Sequence, residues 1–162
     1  MSILWMLYPN LWLPNLTAYT KRLIRQKDPF EQESAYLLAI PLDFEAMNEA
    51  AAVLLGFEDF KAFSRAHTDV RTYLCNITRA GWARVGNCWE FTISADRFLR
   101  NMVRAVVGTL LEVGKGNLSV EDVKSIIKSR DRSEAGASVP AKGLYLTEIT
   151  YPEGIYLNHG EG

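Results

Sequence analysis

The 162-residue chain lacks an excess of either charge: 18 Lys and Arg stand against 19 Asp and Glu, a formal net charge of −1. A global basic signature of nucleic-acid binding is therefore absent, although a local cluster of cations would serve the same end. Cysteine is scarce, with only Cys75 and Cys88. If residues 72–84 and 88–95 form a hairpin turning at "VGN", the two thiols lie far apart along it. That spacing argues against a disulfide, and two isolated thiols make no zinc site. No repeat, low-complexity tract or linker divides the chain, so its length suits one substantial core. The apolar opening "MSILWMLYPNLWLPN" has no basic n-region, carries two prolines and is too short to span a bilayer. It is read as neither signal peptide nor anchor, and the cytoplasm is the default location.

What remains is an ordinary globular composition, 48% hydrophobic and 23% charged, with a legible order of elements. "LTAYTKRLI" (16–24) and "SAYLLAI" (34–40) read as strands, the second closed by Pro41. "DFEAMNEAAAVLLG" (43–56) reads as a helix capped by Asp43 and stopped at Gly56, with a helical turn over 57–63. "TYLCNITRAGWARV" and "CWEFTISAD" read as two long strands around a Gly-Asn turn. A helix over 97–114 follows, then a second opening at Ser119, where Asp122 completes a capping box. A loop over 130–143 leads to a last strand, 144–151. Strands and helices are segregated, so the expected class is α+β, with an antiparallel or mixed sheet packed by helices.

The helix "RFLRNMVRAVVGTLLEVG" raises the functional question. At 100° per residue its aliphatic side chains fill a broad arc, while Arg97, Arg100, Asn101, Arg104 and Gly108 share the remaining stripe. A glycine within a helix costs about 1 kcal/mol relative to alanine, which is explained if something packs closely there. The stripe holds arginine and asparagine but neither lysine nor glutamate. Arginine suits bidentate contact with carboxylate or phosphate. One side of the helix is read as core and the other as the wall of a site.

"ADRFLRNMVRAVVGTLLEVGKG", "RDRSEAGASVPAKGLYLTEITYPE" and "FEDFKAFSRAHTDVRTYLCNI" resemble, in consistent order, the C-terminal half of a TruA-type tRNA pseudouridine synthase. The resemblance runs from about Asp28 to Ile155. It implies the C-terminal half of a pseudouridine synthase fold over 16–162, with 1–15 an atypical extension. It also implies isomerisation of uridine to pseudouridine in the tRNA anticodon arm, with neither metal nor organic cofactor, by a homodimer that tRNA bridges. In the family an aspartate enables cleavage of the glycosidic bond, the uracil rotates, and C5 re-attaches to the ribose. The arginine of the "MVR" segment, Arg104 here, pairs with that carboxylate. The leucine of "GLYL", Leu144 here, packs against the target base or the tyrosine stacked on it. Arg97, Arg100, Asn101 and His67 are the expected RNA contacts. Phosphate contact is also considered for Arg130, Arg132 and Lys142, with Asp131 and Arg132 expected to pair with each other.

The family's aspartate stands in an Arg-Thr-Asp segment, which this sequence lacks. The nearest string, "HTDV", contains Asp69, read here as a structural residue. The catalytic aspartate is thus expected outside these residues. The alternative is a non-catalytic RNA-binding or dimerisation module of the same fold.

Overall fold

A computed structural model describes residues 16–150. The expected extension over 1–15, and residues 151–162, lie outside the described residues. Five strands form one mixed sheet: β1 (Leu16–Ile24), β2 (Tyr36–Leu37), β3 (Ile77–Val85), β4 (Cys88–Ala95) and β5 (Leu144–Thr150). The helices are α1 (Phe44–Val53), α2 (Met102–Gly114) and α3 (Val120–Ser129). The class is α+β, as expected.

β1 is the centre of the sheet. One edge pairs antiparallel with β4 along its whole length; the other is shared by β5, over 16–21, and β2, at 23–24. Strand 34–40 is consequently cut to two residues, because β5 and Gly143 occupy the β1 edge up to Arg22. The pleat sends Tyr19, Lys21 and Leu23 toward the helices and Ala18, Thr20, Arg22 and Ile24 to the opposite face. On that second face Arg22 forms ion pairs with Glu31 at 2.8 Å and Glu90 at 3.1 Å.

The Gly86-Asn87 turn joins β3 to β4 as read, with Val85 opposite Cys88. The first of these strands is shorter than expected. Residues 72–75 leave the hairpin and pair with the chain before the 3-10 turn Lys61–Phe63: Leu74 bridges Asp59, and Cys75 N donates to Glu58 O at 2.8 Å. Both cysteines are free and buried.

α1 starts at Asp43, whose side chain accepts from Ala46 N, and ends in a 3-10 turn at Gly56. It crosses α2 at Gly114, where a Cβ would meet Met47 Sδ at 2.4 Å. The core between sheet and helices is built from Phe91, Ile93, Met47, Phe60, Phe63 and the buried face of α2. The Ser119–Asp122 capping box opens α3 as expected.

One expectation fails in an informative way. The helix expected over 97–114 begins only at Met102. Asn101 has φ 68°, a left-handed conformation that no helix continues through, and Arg100 O accepts from Arg65 N at 3.0 Å. Arg97 and Arg100 therefore precede the helix. Only Arg104 and Gly108 lie on it.

Candidate active site

Residues 135–139 run as a strap across α2 at the glycine. A Cβ on Gly108 would stand 1.8 Å from Ala137 O, and one on Gly136 would stand 2.8 Å from the Thr109 backbone. The close approach inferred from Gly108 is thus present, and its partner is the loop. Thr109 ties the two together: its buried hydroxyl donates to Ala105 O at 3.0 Å and accepts from Gly136 N at 2.9 Å.

Arg104 stands where the strap leaves the helix. Its Nε donates to Val139 O at 2.6 Å, and Val139 N donates back to Arg104 O at 3.1 Å. The backbone bond orients the strap and the guanidinium bond orients the arginine. Among the described residues no carboxylate lies within salt-bridge distance of Arg104; the arginine pairs formed are those of Arg22 and Arg130. Its terminal nitrogens thus have no anionic partner within residues 16–150.

At the other end of the strap, Leu144 begins β5. Leu144 N donates to Ala141 O at 3.0 Å, closing a turn, and Leu144 lies opposite Lys21 in the sheet register. Gly143, with φ 75°, makes this corner. A Cβ there would meet Arg22 O at 2.8 Å and Tyr36 N at 3.0 Å, and Gly143 O accepts from Arg22 N at 2.7 Å. Arg104 and Leu144, forty positions apart, are brought to the two ends of one short segment.

Between them lies a residue that the sequence did not single out. Lys21 is 1% exposed. Its Nζ donates to Pro140 O at 2.6 Å and to Lys142 O, and it stands 5.1 Å from the centre of the Tyr36 ring. Burial, and then the charge of Arg104, lower its pKa from 10.5 to about 8. In "AYTKRLI" the lysine reads as a solvent-facing position of a weakly alternating strand. The register of β1, which puts it beside Phe91, was the missing information.

The remaining site residues separate into groups. Asn101 Nδ2 donates to Ser138 Oγ at 2.5 Å, so it anchors the start of the strap. Arg132 donates to Gly136 O and Ser138 Oγ at 3.1 and 2.9 Å, so it braces the same segment. The expected Asp131–Arg132 pair is not formed; Asp131 instead accepts from Ser133, which holds its carboxyl below the usual range. The guanidinium of Arg132 is instead engaged by Gly136 O and Ser138 Oγ. Arg130 pairs with Asp59 at 2.9 Å.

Arg65, His67 and Arg100 are exposed, a backbone hydrogen bond joins Arg65 N to Arg100 O, and Arg97 donates to Thr72 O at 3.2 Å. His67, with φ 58°, lines an open cleft of about 620 Å³ together with Lys61, Arg65, Tyr73 and Arg130. A larger cleft of about 860 Å³ lies beyond the end of β1, between Arg25, Lys27, Arg84 and Trp89. Neither cleft is lined by Arg104 or Leu144. Among the described residues there is no cluster of three His, Cys, Asp or Glu suited to a metal ion, and no helix long and apolar enough to cross a membrane.

Comparison with known proteins shows to which family the chain is similar. Residues 50–152, which include both Arg104 and Leu144, match the tRNA pseudouridine synthase family. The tRNA pseudouridine synthase A of Parabacteroides distasonis is 55% identical over 131 residues, covering 81% of this chain and 52% of the relative. That of Porphyromonas gingivalis is 53% identical over 142 residues, 86% of this chain and 56% of the relative. The Bacteroides fragilis protein of the same name is 51% identical over 131 residues, 80% of this chain and 52% of the relative. The chain spans about half the length of the curated relatives it matches.

Proposed function

The chain belongs to the tRNA pseudouridine synthase family, and we propose that it forms one wall of a site where uridine in the tRNA anticodon arm becomes pseudouridine. The aspartate that opens the glycosidic bond comes from residues outside this chain. The bond from C1′ to N1 breaks, the uracil turns, and C1′ bonds to C5, which gives up its proton while N1 regains one. Arg104 holds the aspartate ionised, since a guanidinium a few ångströms away lowers a carboxyl pKa by about one to three units. Leu144 receives the uracil once it has left its stack. Arg97, Arg100, Asn101 and His67 face the RNA backbone or hold the segment that does. The working assembly is a cytoplasmic homodimer bridged by tRNA, with neither metal nor organic cofactor.

The observation that carries this reading is the placement of Arg104. It is fixed by Val139 yet has no carboxylate partner among the described residues. A half-buried guanidinium with no partner is costly, so the site is complete only when an anion arrives. The test is pseudouridine formation on unmodified tRNA, by this chain alone and by this chain fused behind the N-terminal half of the Parabacteroides distasonis relative. The chain alone is expected to give no product and the fusion to give turnover. Arg104→Ala in the fusion is expected to lower turnover by about a hundredfold or more. Turnover by the chain alone would place the carboxylate inside it, at Asp69 before any other. Full activity of the Arg104→Ala fusion would end the pairing role.

A further inference from the structure

Lys21 is the buried charge to which this function gives no part. It occupies a row that runs across the sheet on the helix side, Trp82, Phe91, Lys21 and Leu144, in which every other member is apolar. A methionine would fill the same space without desolvating an ammonium or setting it near Arg104. An apolar residue cannot supply hydrogen-bond donors, and Lys21 supplies them to two carbonyls, those of Pro140 and Lys142.

Those carbonyls belong to the strap, whose attachments can be followed residue by residue. Ser138 is held by Asn101, Val139 by Arg104 and Gly143 by the backbone of Arg22. Between Val139 and Gly143 the attachments to β1 come from the single side chain of Lys21. The segment ends at Leu144, whose amide is turned back onto Ala141. The distance between Arg104 and Leu144 is therefore the span of a strap whose middle is fixed by one lysine.

We infer that Lys21 is a positioning residue: through the carbonyls of Pro140 and Lys142 it fixes the strap, and through the strap the places of Arg104 and Leu144. The roles of Arg104 and Leu144 rest on the proposed function; the fixing of the strap does not. The experiment is residue-resolved amide exchange on this chain with Lys21→Met and Lys21→Arg. In Lys21→Met, exchange at Val139 and Leu144 is expected to accelerate by about tenfold or more, with hairpin amides such as Phe91 moving by less than about twofold. Lys21→Arg, which restores donors to the same carbonyls, is expected to recover the protection. Unchanged exchange at Val139 and Leu144, or an equal acceleration over the whole sheet, would overturn the inference.

Should Lys21→Met fail to fold, the wild-type chain decides. Scalar couplings across the hydrogen bonds from the Lys21 ammonium to the carbonyl carbons of Pro140 and Lys142 are expected below neutral pH, and their absence would refute the fixing. In the fusion, Lys21→Met is expected to lower kcat with little change in KM, and Lys21→Arg to restore it. An inactive unsubstituted fusion whose strap behaves as predicted would count against the proposed function alone. A strap indifferent to Lys21 would count against this inference whatever the fusion does.

Discussion

Lys21 pays a penalty that should be visible in solution. In the unfolded chain its ammonium keeps the ordinary pKa of 10.5, whereas in the folded chain burial, and next Arg104, bring it to about 8. Across that interval the unfolded chain binds more protons, so this residue makes stability rise with pH. Below about pH 8 both states are charged and the penalty is complete. The neutral amine still has two N–H groups, enough for Pro140 O and Lys142 O. Cys75 acts with the opposite sign: burial raises its thiol from 9.0 to about 11, so above pH 9 the unfolded chain loses a proton that the folded chain keeps. Cys88, also raised by burial, adds to that decline. The contribution of Lys21 is therefore read from pH 8 to 9 as the difference between wild type and Lys21→Met in urea unfolding, an expected relative gain of about 1 kcal/mol in the wild type, because the cysteines contribute equally to both. Cys75→Ala should weaken the fall that the thiols bring as pH rises toward and past 9. Identical profiles from pH 8 to 9 in wild type and Lys21→Met would mean that the ammonium is better solvated than its 1% exposure implies.

At the scale of elements, the junction of α2 with the strap is the sensitive point. Alanine at Gly108 improves helix propensity by about 1 kcal/mol, yet its Cβ would stand 1.8 Å from Ala137 O. A backbone oxygen on a tied segment cannot move aside as a flexible side chain would. Gly108→Ala is therefore expected to destabilise the chain by a net 1–3 kcal/mol or so, as overpacked cores do, and to loosen residues 135–139. Ser119→Ala, which removes only a cap, should cost about 1 kcal/mol and leave the strap alone. Thermal unfolding of both variants, with exchange at Gly136 and Val139, separates the two effects. The glycine was legible in the sequence because a residue unfavourable in a helix needs a reason, and the Ser119–Asp122 box was legible because its rule is local. The start of α2 was not, because the aliphatic pattern continues through Phe98 and Leu99, while Arg100 O, just before the left-handed turn at Asn101, is taken by Arg65, thirty-five positions away. Lys21 was hidden for a related reason: the face of β1 that it occupies is fixed by its pairing with β4 and β5, not by its own alternation.

At the scale of the whole molecule, a chain of net charge −1 has no general attraction for RNA, so the tRNA contact of the proposed function would have to arise where cations are concentrated. Loop 61–73 and segment 97–101 offer such a place: exposed Arg65 and Arg100 are joined by a backbone hydrogen bond, His67 lines a cleft with Arg65, and Asn101 lies three positions before Arg104. Arg97 flanks the patch through Thr72. Each phosphate neutralised contributes about 0.7 to 0.9 to the slope of log K against log salt. Removing Arg65 and Arg100 together should therefore lower the magnitude of the slope for tRNA by about 1 to 2 and weaken binding uniformly across tRNA species. On the proposed function Arg104→Ala should leave the slope nearly unchanged, because its half-buried guanidinium, bonded to Val139 O, would serve the carboxylate rather than the backbone. Filter binding over a salt series measures both. An unaltered slope in the double variant, or a loss of slope in Arg104→Ala, would move the RNA path away from this patch. The first result would direct attention to the Arg25–Lys27–Arg84 cleft, and the second would make Arg104 a phosphate ligand.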